Sequence, residues 1–374
     1  MNSFLFVLPT DRLGGAERVA MNLIRYLSVT KPEAIINVIF MSRGDSGGWN
    51  DLKNSSNIDL IFNDFRSEKS SFPYLIYYLI KNIKKADFVY TTHTHVNALM
   101  SGLRKFKLFR CNFLVLREST IISKRFTGFK KFVFDILYKF YGSQDLLICQ
   151  TDLMCEELIN ARDNKIAHNV KTIPNPLNLQ HINTLLAEAD SVHTEKNEFI
   201  IVMVGRLVPI KNYQLVINAL AELKQDNVSI FKLKIIGDGI LSNNLKALVK
   251  NNDLVNEVVF LGNIKDPYHY MRGADLGIVS SISEGFPNVL LEMMASGTKN
   301  LTVTPCTGGL DSLPKLTITK DHSVKAMKSA IALAIENSED FSQEYIEYTK
   351  TRDISNYWTE ITNSLDKNNN HTIS

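Results

Sequence analysis

Hydrophobic residues cluster in short runs along this chain, and the longer stretches between the runs mix apolar and polar residues with helical spacing. Short apolar runs bounded by turn residues are typical of buried strands, and the stretches between them are typical of amphipathic helices. In the first half, the runs predict strands at Phe4 to Leu8, Ile35 to Phe40, Phe88 to Thr91, Asn112 to Leu116 and Leu146 to Cys149. The helical stretches include Ala16 to Leu27, Ser71 to Ile83 and Gly128 to Tyr141.

The second half of the chain repeats this alternation. Its predicted strands are Phe199 to Val204, Lys232 to Ile236, Val258 to Leu261, Leu276 to Ser280 and Asn300 to Val303. Strands that alternate with helices form parallel sheets covered by helices, so each half predicts one α/β domain. The prolines of Ile173-Pro174-Asn175-Pro176 disfavour helix and suit an extended connection between the halves. A last amphipathic stretch, Ser342 to Leu365, has no strand after it.

The composition fits an ordinary globular protein with two domains. The chain has 374 residues, 45% of them hydrophobic, and single cores stop growing at about 250 to 300 residues. A net charge of +3 is too small to indicate a nucleic-acid partner, so none is expected. The four cysteines lack the spacing of a zinc site or a disulfide framework. Because no apolar run is long enough for a signal peptide or a membrane span, we expect a cytoplasmic protein.

Three glycine-containing segments follow predicted strands, where parallel sheets usually bind ligands. Gly14-Gly15-Ala16-Glu17-Arg18 begins a helix, whose first amides suit an anion. Gly205-Arg206-Leu207-Val208-Pro209-Ile210-Lys211 carries two cations that suit a diphosphate, and solvated surface charges are the alternative. Gly237-Asp238-Gly239 is good turn chemistry whatever the function.

The most informative segment runs from Ser280 to Gly297. Glu284 lies in a loop after a strand, Pro287 suits a first helical turn, and Glu292 falls about one turn inside the helix. Carboxylates accept hydrogen bonds from sugar or ribose hydroxyls, and a helix amino terminus favours phosphate oxygens. For an isolated pair of glutamates, a solvated helix start is the alternative.

His93 and His95 close a predicted strand of the first half, with the alternate spacing that puts both on one face. Two histidines with no Cys or acidic neighbours make a poor metal site, so no metal is expected there. A buried, hydrogen-bonded histidine and a functional one both fit the sequence. The chain has no dinucleotide fingerprint, phosphate loop or Ser-His-Asp order.

Taken in order, these segments resemble the retaining family-4 glycosyltransferases, also called glycosyl transferases group 1, which have the GT-B fold. The resemblance covers most of the chain, although Thr298 stands where relatives usually have a proline. It implies two Rossmann-like, doubly wound α/β domains that face each other across a cleft. It assigns residues 1–174 to an acceptor-binding domain and residues 175–340 to a nucleotide-sugar-binding domain. Residues 341–374 would form a C-terminal helix that crosses back to the first domain.

The resemblance also implies roles for individual residues. Arg206 and Lys211 would hold the donor diphosphate and neutralise its charge as it leaves, and Glu292 would hold the ribose hydroxyls. The transferred sugar would contact Glu284 and the backbone of the next four residues, Gly285, Phe286, Pro287 and Asn288. Gly15 would add an amide from the other domain. His95 aligns with a histidine beside the reacting sugar, with His93 as the alternative.

The reaction implied by the resemblance is transfer of a hexose or acetamidohexose from a nucleotide diphosphate sugar, with UDP as the expected nucleotide. No cofactor or metal would be required, because fixed cations and helix amides stabilise the leaving diphosphate. The acceptor would attack the face from which the diphosphate departs; a covalent glycosyl-enzyme is the alternative. A cell-surface glycan or a polyprenyl-diphosphate-linked glycan is the expected acceptor, as in lipopolysaccharide, O-antigen or capsule biosynthesis. A nucleotide-sugar epimerase and a catalytically silent sugar-nucleotide-binding protein are the other candidates.

Basic and aromatic residues interleave in two segments of the first half, Arg104 to Arg110 and Lys124 to Phe132. This pattern is typical of segments at the surface of anionic membranes, and a solvated basic face is the alternative. We therefore predict peripheral contact with the inner face of the plasma membrane through the first domain.

Overall fold

A computed structural model describes residues 1–44, 47–65, 67–83, 85–122, 126–160, 169–188, 198–228 and 230–371 of the protein. The chain divides into two compact units. Unit 1 comprises Met1–Pro176 together with Ile354–Ser374, and unit 2 comprises Leu177–Asp353. None of the described helices is long and apolar enough to span a lipid bilayer.

Unit 1 contains a seven-stranded parallel sheet in the order β3-β2-β1-β4-β5-β6-β7. Its strands are β1 (Ser3–Thr10), β2 (Ile35–Ser42), β3 (Ile58–Phe62), β4 (Ala86–Thr92), β5 (Cys111–Arg117), β6 (Leu146–Cys149) and β7 (Val170–Thr172). Its first helices are α1 (Gly15–Thr30), α2 (Glu68–Asn82), α3 (Thr94–Lys105), α4 (Gly128–Tyr138) and α5 (Asp152–Asn160). Alternate residues of β1 point into two separate hydrophobic clusters, so the sheet is buried on both faces.

Unit 2 contains a six-stranded parallel sheet in the order β10-β9-β8-β11-β12-β13. Its strands are β8 (Phe199–Val204), β9 (Phe231–Ile236), β10 (Val258–Gly262), β11 (Leu276–Val279), β12 (Asn300–Val303) and β13 (Thr317–Ile318). Its helices are α6 (Leu179–Glu188), α7 (Tyr213–Gln225), α8 (Ser242–Asn251), α9 (Tyr268–Met271), α10 (Asn288–Ser296), α11 (Val324–Asn337) and α12 (Ser342–Lys350).

The last helix, α13 (Ile354–His371), returns to unit 1. Trp358 packs edge-on against Phe88 of β4, with ring centroids 5.2 Å apart. Tyr357 shares a hydrogen bond with Tyr90 of β4, whose hydroxyl oxygen is 2.9 Å away. The apolar face of α13 therefore covers one side of the unit 1 sheet.

In both sheets the strand order reverses beside the first strand. β1 lies between β2 and β4, and β8 lies between β9 and β11. In open α/β sheets, ligands bind outside the carboxyl ends of the strands at such a switch point. The loops that follow β1, β4, β8 and β11 are therefore the places to look for function.

The prediction of two doubly wound α/β domains with parallel sheets is confirmed, and all ten predicted strands are present. The sequence pattern missed β3, β7 and β13, which are short strands at the edges of the two sheets. The single stretch predicted from Ser342 to Leu365 is two helices, because the chain turns at Thr351 to Asp353. As a result, α12 belongs to unit 2 and α13 belongs to unit 1. The chain therefore leaves unit 2 between Asp353 and Ile354, whereas the sequence placed this division between residues 340 and 341.

Candidate active site

Backbone conformation and backbone hydrogen bonds fix the turn after β8. Gly205 has a φ of +150°, which an L side chain rarely adopts. Its amide donates to the carbonyl of Ile236 at 2.9 Å, and the amide of buried Leu207 donates to the carbonyl of Asp238 at 3.0 Å. Arg206 lies between these anchors with its side chain exposed. The fixed turn therefore presents the guanidinium at the carboxyl edge of the sheet.

The Gly237-Asp238-Gly239 turn has a packing role in this arrangement. A Cβ atom on Gly237 would lie 2.0 Å from the carbonyl oxygen of Gly205, and one on Gly239 would lie 2.5 Å from that of Leu207. The two backbone segments can approach so closely only because neither Gly237 nor Gly239 has a side chain. These glycines therefore position the Arg206 turn.

Lys211 and Glu284 form an ion pair that joins the loops after β8 and β11. The Glu284 Oε1 atom also accepts from Ser281 Oγ at 2.7 Å, and Ser280 Oγ donates to the Lys211 carbonyl at 2.8 Å. The side chains of Lys211 and Glu284 are 23% and 18% exposed, so the pair is shielded but reachable. Burial, followed by the charge of Glu284, raises the pKa of the neighbouring Cys306 thiol to about 12.

The loop after Glu284 is fixed at both ends before α10 begins. The Glu284 amide donates to the Cys306 carbonyl at 2.9 Å, and the Gly285 carbonyl accepts from Thr307 Oγ1 at 2.9 Å. Pro287 is buried and precedes Asn288, the first residue of the helix.

Glu292 lies in the second turn of α10 and is half-buried. Across the ranges that the structure describes, neither the Glu292 carboxylate nor the Arg206 guanidinium has an ion pair or a side-chain hydrogen bond. A half-buried carboxylate with no protein partner has acceptor capacity for a ligand. The edge thus combines the Lys211–Glu284 ion pair with one cation, Arg206, and one anion, Glu292, that have no side-chain partner in the described ranges.

The corresponding edge of unit 1 contains Gly15 at the start of α1. The preceding residue, Gly14, donates its amide to Glu17 Oε2 at 3.1 Å. Glu17 is buried, and its Oε1 atom is 3.7 Å from Nε2 of His93. His93 itself has a φ of +71°, an unusual backbone conformation for a residue other than glycine. His93 therefore lies beside the Gly14-Gly15 turn.

His95 points toward α2. Its Nε2 atom is 2.8 Å from Oε2 of Glu68, and its ring lies 6.5 Å from that of Phe72. The close contact with His95 lowers the pKa of the Glu68 carboxyl, against the opposing effect of burial. The two histidine rings are 6.1 Å apart, so they share this edge of the sheet but have different carboxylate partners.

The structure thus brings the predicted residues of unit 2 to the loops after β8 and β11 and to helix α10. Those of unit 1 lie at the starts of α1 and α3, which follow β1 and β4. Sequence reasoning did not single out Ser281, Glu17 or Glu68, each of which binds a predicted residue. Glu17 and Ser281 lie inside segments that had been recognised, so their positions were available as a signal. Glu68 had none, because it lies far along the chain from His95.

Comparisons with known proteins show what this chain is similar to. The family model for glycosyl transferases group 1 matches residues 187–352. An uncharacterized glycosyltransferase of Methanocaldococcus jannaschii, MJ1059, is 26% identical over 275 residues, which are 69% of this chain and 67% of that protein.

A second relative is N-acetylgalactosamine-N,N'-diacetylbacillosaminyl-diphospho-undecaprenol 4-alpha-N-acetylgalactosaminyltransferase of Campylobacter jejuni. It is 33% identical over 165 residues, and the match spans 44% of this chain and 42% of that protein. Among solved structures, Anabaena Alr3699/HepE in complex with UDP and glucose has a TM-score of 0.76 at 18% identity, covering 98% of this chain and 100% of that one. This likeness shows the GT-B fold.

Proposed function

We propose, from the match of residues 187–352 to the glycosyl transferases group 1 family model, that the protein transfers a hexose or acetamidohexose from UDP to a lipid-linked or cell-surface glycan, with retention of configuration. The observation that carries the proposal is the edge of unit 2. There the loop after β8 carries Arg206 and Lys211, and the loop after β11 carries Glu284 and leads into α10, where Glu292 lies. Arg206 and Glu292 have no side-chain partners in the described ranges.

The charges of this edge match the parts of a nucleotide diphosphate sugar. Arg206 and Lys211 are proposed to bind the diphosphate, as charge-assisted hydrogen bonds to phosphate are among the stronger polar contacts. Glu292 is proposed to accept hydrogen bonds from the two ribose hydroxyls. Glu284, with the backbone from Gly285 to Asn288, is proposed to contact the sugar.

Transfer breaks the bond between the sugar and the diphosphate, and negative charge develops on the leaving oxygen. Fixed cations stabilise that charge where it forms, which lowers the barrier to departure. Lys211 is neutralised by Glu284 in the free protein, so an incoming diphosphate competes with this carboxylate for the ammonium group. We expect the reaction to proceed without a metal, and activity in the presence of a chelator tests this expectation.

Support for the donor and the acceptor comes from the compared proteins. HepE was crystallised with UDP and glucose, and the Campylobacter enzyme is named for a diphospho-undecaprenol acceptor. By analogy we propose a polyprenyl-diphosphate-linked glycan, of the kind used for O-antigen, lipopolysaccharide or capsule. Gly15 and His95 of unit 1 keep their predicted roles as proposals.

The deciding experiment mixes the purified protein with radiolabelled UDP- and GDP-sugars and a lipid-linked acceptor extract. Transfer of label to lipid from a UDP-sugar supports the proposal. Conversion of one nucleotide sugar into another would instead indicate an epimerase, and binding without turnover would indicate a silent sensor. Glu336→Gln, an exposed change on α11, is the matched control for the glutamate variants described below.

A further inference from the structure

Helix α4 has apolar side chains on both of its faces. Its inner face packs into the hydrophobic core of unit 1 through Phe134, Leu137 and Tyr138. Its outer face and the residues just after it expose a second apolar row, which we call the outer stripe: Phe129, Phe132, Val133, Ile136 and Phe140. Phe129 is 79% exposed and Phe132 is 59% exposed. Surface helices normally have polar residues on the outer face. An exposed apolar row such as the outer stripe therefore indicates a surface that contacts another molecule.

The outer stripe lies beside a second exposed segment at the end of α3. A Cβ atom on Gly102 of α3 would lie 3.3 Å from the Phe140 ring, and Arg104 Nη1 donates to the Ser143 carbonyl at 2.7 Å. These contacts bring the end of α3 against the end of α4. The segment that follows α3, residues 105–110, we call the basic rim. It exposes Phe106 and Leu108, which are 61% and 52% exposed.

The charge around the stripe has one dominant sign. Residues 104–110 and 128–140 together contain seven basic residues and one acidic residue, whereas the whole chain has a net charge of only +3. The acidic residue, Asp135, is paired with Lys131 at 2.9 Å, and Arg104 is paired with Asp145. The other basic residues, Lys105, Lys107, Arg110, Lys130 and Lys139, are exposed. Lys124 and Arg125, which the sequence pattern also suggested, lie outside the described residues.

We propose that the outer stripe and the basic rim dock on the surface of an anionic lipid bilayer. Exposed phenyl rings on one helical face can enter the boundary between headgroups and acyl chains, while lysines beside them bind lipid phosphates. A protein partner of neutral surface would not account for the excess of positive charge. The surface lies wholly in unit 1, so the inference stands apart from the donor site proposed in unit 2.

The test is co-sedimentation of the full chain with vesicles of phosphatidylcholine alone, or of phosphatidylcholine mixed with phosphatidylglycerol, at low and high salt. We expect binding to the anionic vesicles that weakens as salt rises. Phe129→Ser combined with Phe132→Ser should lower the affinity about tenfold or more. Replacing Lys105, Lys130 and Lys139 with Ala should lower it about a hundredfold, since each basic residue contributes about a fivefold factor.

Matched controls are Val255→Ser and Lys250→Ala, exposed changes in unit 2 that should leave vesicle binding unchanged. Circular dichroism establishes that every variant is folded. If the wild type ignores anionic vesicles at low salt, or the stripe and rim variants bind as it does, the proposal is overturned. A dimer in light scattering that Phe129→Ser abolishes would also overturn it, because the stripe would then bind a second copy. Vesicle binding without glycosyl transfer would leave this inference standing while the proposed function fails.

Discussion

Glu292→Gln tests the nucleotide end of the proposed site. The Glu292 carboxylate is half-buried on α10 and has no protein partner in the described part of the chain, so both of its oxygens can accept from ribose. A hydrogen bond to a charged group contributes about 1.5 to 3 kcal/mol. Glutamine keeps one acceptor but loses the charge, and about one such bond is lost. UDP should therefore bind about ten- to a hundredfold more weakly.

Glu284→Gln should have the opposite profile. Glu284 is already engaged by Lys211 and by Ser281, and glutamine can still accept from the serine hydroxyl. Removing its charge frees the Lys211 ammonium from the carboxylate with which a diphosphate competes. UDP affinity should therefore be retained or raised. Transfer from the intact donor should slow, because the contact with the sugar exists only when the sugar is attached.

Calorimetric titration of UDP into both variants, beside initial rates with the intact sugar donor, separates the two roles. Glu336→Gln controls for the loss of an exposed carboxylate. If Glu292→Gln binds UDP like the wild type, the ribose assignment is wrong. If both variants also keep full turnover, the two glutamates are a solvated helix start and the proposed donor site has no support.

Three further predictions concern the scaffold and unit 1. Gly237→Ala should destabilise the protein by about 3 kcal/mol in urea unfolding, because its Cβ would meet the Gly205 carbonyl at 2.0 Å; a stability equal to wild type would show that the turn can relax. His95→Ala should slow transfer while nearly sparing UDP affinity, and it should do so more than His93→Ala; equal losses of binding and turnover would contradict this role. Burial raises the pKa of Glu118, so its stabilising protonated form is fully present below the unfolded-state pKa and is lost as pH rises through the folded-state value. Glu118→Gln should therefore gain stability relative to the wild type as pH rises from acidic to neutral, and a pH-independent difference between the two unfolding curves would refute it.

The strand ends that carry the site were accessible from the sequence. The bounds of β6 and β8 were predicted to the residue, because uninterrupted apolar runs end there at a glutamine or a glycine. Since those runs implied parallel strands, Arg206 and Glu284 could be assigned to the carboxyl edge. Their pairing partners could not. The Lys211–Glu284 contact spans 73 positions and depends on β11 lying next to β8, which single-strand patterns do not encode.

Edge elements and polar contacts were the main omissions. β7 has the sequence Val170-Lys171-Thr172, which is too short and too polar to produce an alternating signal. The two histidines looked equivalent because alternate residues of an extended strand share a face. In the structure His93 is the N-cap of α3 with positive φ, and this backbone turn gives the two rings different carboxylate partners. Local pattern could not reveal that turn.

The return of α13 to unit 1 has a consequence for biosynthesis. Unit 2 is one continuous stretch, whereas unit 1 needs residues from both termini to complete its core. Trp358 packs on Phe4 and Phe88, so those early strands lack this cover until the ribosome has made residue 358. Domains usually fold in the order of their synthesis. Here we expect the later-made unit to mature first, while the first-made sheet waits with an apolar face open and depends on chaperones for protection.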